Sequence, residues 1–330
     1  VVVPPDPYRP ITPVVGLRRE REVLTVALEA GRHVVIEGPP GTGKSTLLRS
    51  IARDHGQDVV FVEGNAELTP ARLVGQFDPS QVLAAGYRPE VFVDGPLLTA
   101  MRGGLLYLEE LNRVPEETLN VLITVLTEGE IAVPRLGTVV AGPEFRLIAA
   151  MNPFDAIGTA RVSQAIADRM CRVVLGYQDV AAEKAITGSV SGLGGPVLDL
   201  AVALTRATRE HRDVRMGSSV RGAIDLALVL AGLGKLRGEA ELVRETARDA
   251  AYAALSGRIR VADGVDRTPE SLIDELLDAV WPPDAPPPSE PGGEPGKADG
   301  PSPAPAAGPQ QRERPHRNRA PRTLSRDELG

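Results

Sequence analysis

Hydrophobic spacing divides the chain in two. Up to about residue 174, short apolar runs alternate with stretches whose apolar positions recur at helical intervals; beyond Gln178 only the helical interval persists. Residues 18–30 place Val23, Val26, Ala27 and Ala30 at helical spacing, and residues 45–53 read as a second helix. Residues 33–37 form a β-branched run closed by Gly38-Pro39-Pro40-Gly41, which predicts a strand running into a loop. Residues 59–63 and 104–108 are further strand candidates, and residues 145–150 read as a buried strand. Over residues 115–128 the pattern predicts a helix with Pro115 at its first position, where the missing N–H costs nothing. Residues 130–140 alternate around Pro134 and Gly137, as a hairpin does.

Strands alternating with helices imply an α/β fold built on a parallel sheet. The boundary is placed near Gly176, giving an α/β domain over residues 14–176 and an all-helical lid over residues 177–281. Thr268 ahead of Pro269-Glu270 predicts the capped start of the lid's last helix. No internal repeat is present. Residues 1–13, with five prolines, read as an extended lead-in.

Composition sharpens the ends of this picture. Thirteen of the 30 prolines fall in residues 282–330, a segment with seven acids, seven bases and no aromatic residue, which predicts a disordered tail. Its six arginines between residues 312 and 326 read as a solvated segment. The net charge of −7 therefore belongs to residues 1–281, and an acidic body argues against a protein that coats nucleic acid electrostatically. The longest apolar run, near residues 223–233, is interrupted by Asp225 and is too short to span a bilayer. Residues 1–13 carry no apolar export signal, so the expected location is the cytoplasm. The single cysteine, Cys171, excludes an internal disulfide and a multi-cysteine metal site; it is expected to be a small buried hydrophobe. His33 is expected to cap or flank its strand.

Three motifs carry chemistry. Gly38-Pro39-Pro40-Gly41-Thr42-Gly43-Lys44-Ser45 matches G-x-x-x-x-G-K-[ST], a loop whose successive backbone N–H groups point at phosphate oxygens. The helix that follows adds the positive end of its dipole. Lys44, one of only four lysines, neutralises β- and γ-phosphate charge, and Ser45 offers its hydroxyl to Mg²⁺. Further on, Leu105-Leu106-Tyr107-Leu108-Glu109-Glu110 is an apolar strand ending in carboxylates, read as the acid on the Mg²⁺ side followed by the residue that polarises water. A third strand ends in Met151-Asn152-Pro153, where Asn152 is placed to hold the attacking water or the γ-phosphate.

In this order and spacing the segments resemble the MoxR-type AAA+ ATPases. The resemblance rests on Val14-Val15-Gly16, the P-loop, residues 108–113 (Leu-Glu-Glu-Leu-Asn-Arg), residues 149–153 and residues 165–170 (Ala-Ile-Ala-Asp-Arg-Met), and it covers roughly residues 11–281. Asn120-Val121-Leu122 and Pro143-Glu144-Phe145-Arg146 are also similar to segments of the gas-vesicle and Rubisco-activating branches, between which the residues do not choose. The resemblance implies a P-loop NTPase fold and an ATP site. Val15 and Gly16 would lie against the adenine, and residues Gly38, Pro39, Pro40, Gly41, Thr42, Gly43, Lys44, Ser45 and Thr46 would hold the phosphates. Ser45 and Glu109 would serve Mg²⁺, Glu110 would orient water, and Asn152 would be the first sensor. Arg169 would reach into a neighbouring subunit's site, with Arg161 as a weaker candidate, and Arg221 would be the lid's sensor on the γ-phosphate.

The implied protein is a Mg²⁺-dependent ATP hydrolase in a homo-oligomeric ring, taken as a hexamer, that remodels or activates a protein client. The family points to a partner with a von Willebrand factor A-type domain on a separate chain. Two other readings stand beside it: a nucleic-acid motor or loader, and a slowly hydrolysing, ATP-gated scaffold. The last is motivated by Glu109, since the family commonly has aspartate there and the extra methylene moves the carboxylate by about 1.5 Å.

Overall fold

The computed structural model describes residues 14–153, 164–283 and 285–286. The proline-rich lead-in, Arg161 and nearly all of the tail lie outside the described residues. From Arg18–Glu29 (α1) the chain enters strand β1 (Val34–Glu37), the phosphate-type loop and helix α2 (Lys44–Asp54). Strand β2 (Val59–Glu63) leads to an excursion made of α3 (Pro70–Val74), β3 (Gly75–Phe77), α4 (Pro79–Ala85), β4 (Phe92–Asp94) and α5 (Pro96–Met101). Then come β5 (Leu105–Glu109), α6 (Glu116–Glu128), the hairpin β6 (Glu130–Val133) and β7 (Gly137–Val140), and β8 (Arg146–Met151). Helix α7 (Gln164–Ala167) and β9 (Cys171–Val174) complete the α/β part. The remainder is helical: α8 (Val180–Ser191), α9 (Gly195–Glu210), α10 (Val220–Arg237), α11 (Arg244–Leu255) and α12 (Pro269–Val280), with a small pair of strands, β10 (Val214–Met216) and β11 (Arg260–Val261).

Five strands pair in parallel in the order β2-β5-β8-β1-β9. The register sets Glu63 beside Glu109 and Glu37 beside Met151, so the carboxyl ends of neighbouring strands reach a common edge. In an open α/β sheet that edge is where ligands bind. Alternation of side chains gives each face its own core. Leu106, Leu108, Leu147 and Ala149 pack with Leu97, Leu98 and Met101 of α5 and Leu119 and Leu122 of α6. Leu105, Tyr107, Ile148, Val34 and Ile36 pack on the opposite face with Leu24 and Leu28 of α1 and Leu47, Leu48 and Ile51 of α2. A third core, around Leu204, Leu226, Leu230, Ala250, Leu272 and Trp281, holds the helical part together.

The parallel sheet, the hairpin at residues 130–140 and the helical remainder agree with the periodicity. The Thr268 cap does too, its Oγ1 accepting from the Ser271 N–H at 3.2 Å. Four details differ. Helix α1 buries Leu24 and Leu28, one turn apart, and leaves Val23 and Val26 exposed, because the i,i+4 leucine pair supplies the larger contact with the sheet. Pro115 is the N-cap residue and the helix starts at Glu116, a one-residue difference of the kind that helix ends routinely show. Cys171 is exposed, since β9 is an edge strand and only Val173 of its four residues faces the core. The β3–β4 and β10–β11 pairs are too short to carry a readable period.

His33 does flank its strand, and it also ties β8 to it: the Leu147 N–H donates to His33 Nδ1 at 2.9 Å, and the ring packs against Phe145. Burial, with help from Arg146 and Arg32, lowers its pKa to about 4. Folding therefore excludes a proton that the unfolded chain binds near pH 6.5. Stability is complete above that pH and falls as the pH drops towards 4, by about 2 kcal/mol after allowance for solvent screening of a half-buried ring. Urea unfolding of wild type and His33→Gln at pH 7.5 and 4.5 should show this loss in the wild type only.

Candidate nucleotide site

The phosphate-type loop leaves β1 at Glu37, whose C=O accepts from the Leu175 N–H at 2.7 Å, and enters α2 through Gly43. Thr42 Oγ1 donates to the Pro39 C=O at 2.9 Å and closes the turn. The Lys44 ammonium donates to the C=O groups of Gly38 and Pro39 at 2.8 and 2.9 Å, which folds it over the loop that the motif predicts it to serve. Pro40, Gly41, Gly43, Lys44, Ser45 and Thr46 line one wall of a cleft of about 200 Å³; Glu109, Glu110, Asn152 and Arg221 line the rest with Ala150 and Met151. Residues far apart in sequence thus meet in a single cleft at the carboxyl edge of the sheet.

Glu109, the last residue of β5, reaches the loop directly: its Oε1 accepts a hydrogen bond from the Ser45 hydroxyl. The longer acid therefore still meets the serine. The same oxygen accepts from the Tyr107 hydroxyl at 3.0 Å, and the two hydroxyls lie 3.4 Å apart. Burial first, and the Glu109 carboxylate second, push the Tyr107 pKa above its ordinary value, so the phenol remains a donor. Glu110 follows in the left-handed region at φ 53°, sparsely used by residues other than glycine. Its Oε2 lies 2.8 Å from Arg113 Nε. The turn is braced from β2, where the Gly64 N–H donates to the Glu109 C=O at 2.8 Å. A Cβ at Gly64 would stand 2.5 Å from the Glu110 carbonyl oxygen, so no larger residue fits there. Asn152 sits at the tip of β8, and its own C=O accepts from Asn112 Nδ2 at 3.4 Å.

The lid closes the other side. Gly41 has φ 74°, and a Cβ there would lie 2.4 Å from Ser219 Oγ and within 4 Å of Arg221, so the residues opening α10 rest on the loop itself. A second cavity of about 350 Å³ adjoins the first and shares Gly41, Gly43, Thr46 and Arg221 with it. Val15 and Thr42 line this cavity together with Val14, Leu17, Ile186 and Val190. Its apolar wall suits a flat aromatic base. Gly16 lies beneath the side chain of Gln178.

Sequence reasoning missed Tyr107, Gly64, Gln178, Ser219 and the lid's Ile186 and Val190. For Tyr107 a signal existed: a hydroxyl two residues before an acid on one strand face. The others are joined only by tertiary contacts. Arg169 is not brought to the cleft; its Nε donates to Thr127 Oγ1 and its Nη1 to the Ala165 C=O, both at 2.6 Å. Among the described residues no helix is long and apolar enough to cross a membrane.

The family model for an AAA domain of the dynein-related subfamily matches residues 33–170. The gas vesicle ATPase GvpN of Ancylobacter aquaticus is 30% identical over 221 residues, 62% of each chain. GvpN1 of Halobacterium salinarum is 29% identical over 209 residues, 58% of this chain and 60% of the relative. The chain thus spans about 60% of the length of these curated relatives. The crystal structure of NtrX from Brucella abortus in complex with ADP superimposes with a TM-score of 0.50 at 20% identity, over 81% of this chain and 62% of that one. Sheet order, P-loop and helical lid define an AAA+ protein. Within that class its motifs resemble those of the MoxR-type AAA+ ATPases, and residues 33–170 carry the matched AAA domain.

Proposed function

We propose that the protein binds ATP in the cleft between sheet edge and lid, hydrolyses it with Mg²⁺, and works as a homo-oligomeric ring that remodels or activates a protein client. The observation that carries this is the convergence of Lys44, Ser45, Glu109, Glu110, Asn152 and Arg221 on one cleft beside an apolar cavity. The ADP held by the structural neighbour and the ATPase names of the relatives support it.

In the mechanism that follows from these positions, Lys44 moves its ammonium from the loop carbonyls to the β- and γ-phosphates, while the N–H groups of the loop and of the start of α2 orient them. Ser45 and Glu109 offer a hydroxyl and a carboxylate, the hard oxygen donors that Mg²⁺ takes beside nucleotide phosphates. When bound, Mg²⁺ would supply charge neutralisation at the nucleotide phosphates. Glu110 accepts a proton from the attacking water at its carboxylate, and Asn152 holds that water in line. Arg221 senses the γ-phosphate from the lid, so nucleotide state is coupled to the lid's angle.

Arg169, outside its own cleft, is assigned to the neighbouring subunit's site, where its guanidinium stabilises transition-state charge. The acidic body favours a protein client over nucleic acid, and a partner carrying a von Willebrand factor A-type domain on a separate chain is the proposed class. The contact of Glu109 with Ser45 favours hydrolysis over a nearly inert scaffold.

ATPase rate measured against protein concentration, for wild type and Arg169→Ala, tests the shared site. The rate per subunit is expected to rise with concentration and to fall about a hundredfold in the variant, with ATP binding retained. A rate indifferent to both concentration and substitution contradicts the proposal.

A further inference from the structure

Strand β5 reads Leu-Leu-Tyr-Leu-Glu, and its tyrosine is out of keeping with its surroundings. Leu105, Tyr107 and Glu109 alternate onto the face that packs on α2, and Tyr107 is fully buried there among Leu47, Leu48, Ile148 and Ile36. Packing alone would be met by a phenylalanine or another leucine. A phenol in such a place adds a polar atom that must find a partner or cost free energy. Its partners are both in the nucleotide cleft: the hydroxyl donates to Glu109 Oε1 at 3.0 Å and lies 3.4 Å from Ser45 Oγ.

The ring itself is fixed. Phe61 of β2 meets it edge-on at 5.3 Å between centroids, and the Arg49 guanidinium of α2 stacks over Phe61 at 4.1 Å. The hydroxyl is therefore a donor held by both the sheet and the helix that follows the loop. Glu109 has one more rotatable bond than an aspartate would have, and a carboxylate on that longer stem has more orientations to lose on binding. A rigid donor on the same strand face removes that freedom and presents the carboxylate to Ser45 in one orientation.

We propose that Tyr107 is a positioning residue that holds the Glu109 carboxylate against Ser45, so that the longer acid serves the Mg²⁺ of bound nucleotide. The proposal rests on the nucleotide-binding function proposed above. It assigns to the pair Tyr107 and Glu109 the work that a shorter acid does alone.

The test is a double-mutant cycle on the full chain with a fluorescent, non-hydrolysable ATP analogue, titrated with Mg²⁺ and repeated in EDTA. Wild type should bind the analogue in EDTA and more tightly with Mg²⁺. Tyr107→Phe should keep the EDTA affinity within about twofold and raise the Mg²⁺ midpoint about tenfold, the size expected for losing an outer partner of a metal ligand. In the Glu109→Asp background, whatever its own midpoint, adding Tyr107→Phe should leave that midpoint within about twofold, because the shorter acid no longer depends on the hydroxyl. Thermal melting of each variant shows whether it is folded. Should Tyr107→Phe melt early, the comparison within the Glu109→Asp background decides.

Three outcomes overturn the proposal while leaving nucleotide binding intact. These are an unmoved Mg²⁺ midpoint in Tyr107→Phe, an equal shift in both backgrounds, or an equal loss of affinity in EDTA. Failure of wild type to bind the analogue under either condition overturns the nucleotide-binding function, and this proposal with it.

Discussion

Replacing Lys44 with alanine is expected to weaken ATP binding about a thousandfold while leaving the fold intact. The ammonium is the one positive side chain that the loop itself carries, and it already lies over the backbone groups that face the cleft, bonded to the carbonyls of Gly38 and Pro39. A unit charge about 4 Å from a phosphate oxygen, at an effective dielectric constant of about 20, contributes on the order of 4 kcal/mol. That is close to three decades in affinity. The cost to stability is small, because the cleft is open to water and the freed carbonyls are rehydrated. Lys44→Arg should not restore function, since a planar guanidinium replaces a compact ammonium in a loop shaped around the latter. Equilibrium binding of a fluorescent ATP analogue, with melting temperature alongside, measures both arms. Affinity within tenfold of wild type would remove Lys44 from the proposed site.

The second large effect is on stability. Glu183 of α8 is 2% exposed, and its two oxygens accept from Arg206 Nη1 at 3.0 Å and Arg209 Nη1 at 2.5 Å, both from α9. Removing the carboxylate strands two guanidinium groups in a confined space. Breaking a buried pair in this way costs about 3–5 kcal/mol, enough to lower the melting temperature by about 10 °C in a chain of this size. The same arginines hold the lid to the site. Arg206 also donates to the Gln178 C=O, and Arg209 donates to the Ser218 C=O and stacks over Tyr177 at 4.0 Å. Gln178 covers Gly16, and Ser219, next in sequence to Ser218, touches Gly41.

Glu183→Ala should therefore melt early, and below its melting temperature it should also bind nucleotide more weakly. Glu183→Gln, which keeps the acceptor on one side, should lose roughly half as much stability. Calorimetry and analogue binding on the two variants provide the check. A melting temperature within about 2 °C of wild type for Glu183→Ala would show that the network carries no net stability.

The contrast between these two residues explains what was legible in the chain. Lys44 belongs to eight consecutive residues whose backbone conformation is set locally, so the spacing alone identifies its chemistry. The strands at residues 33–37, 104–108 and 145–150 declare themselves for a similar reason: a strand buried on both faces must be apolar throughout. Glu109, Glu110 and Asn152 are read as the polar residues that end such strands, and the parallel register then sets the ends of β5 and β8 at one edge with the loop. The hairpin at residues 130–140 and the Thr268 cap are local as well.

Glu183 had no such signal, since one acid in an amphipathic helix looks like any solvated charge until α9 covers it. Gly64 carries no local signal either; only the approach of the Glu109 and Glu110 carbonyls at the end of β5 requires a glycine there. Val23 and Val26 had helical spacing, but Leu24 and Leu28 took the sheet. Cys171 had apolar neighbours, but its strand lies at the sheet's edge. Periodicity and short motifs therefore determined the elements, the phosphate loop and the acids at the strand ends, because these follow from backbone geometry over a few residues. Only the tertiary structure decided which helix face is buried, that the Ser45 hydroxyl meets Glu109, and how the lid rests on Gly41. Those depend on contacts between residues tens to more than a hundred positions apart, whose energies are set by burial and by partners that no local pattern encodes.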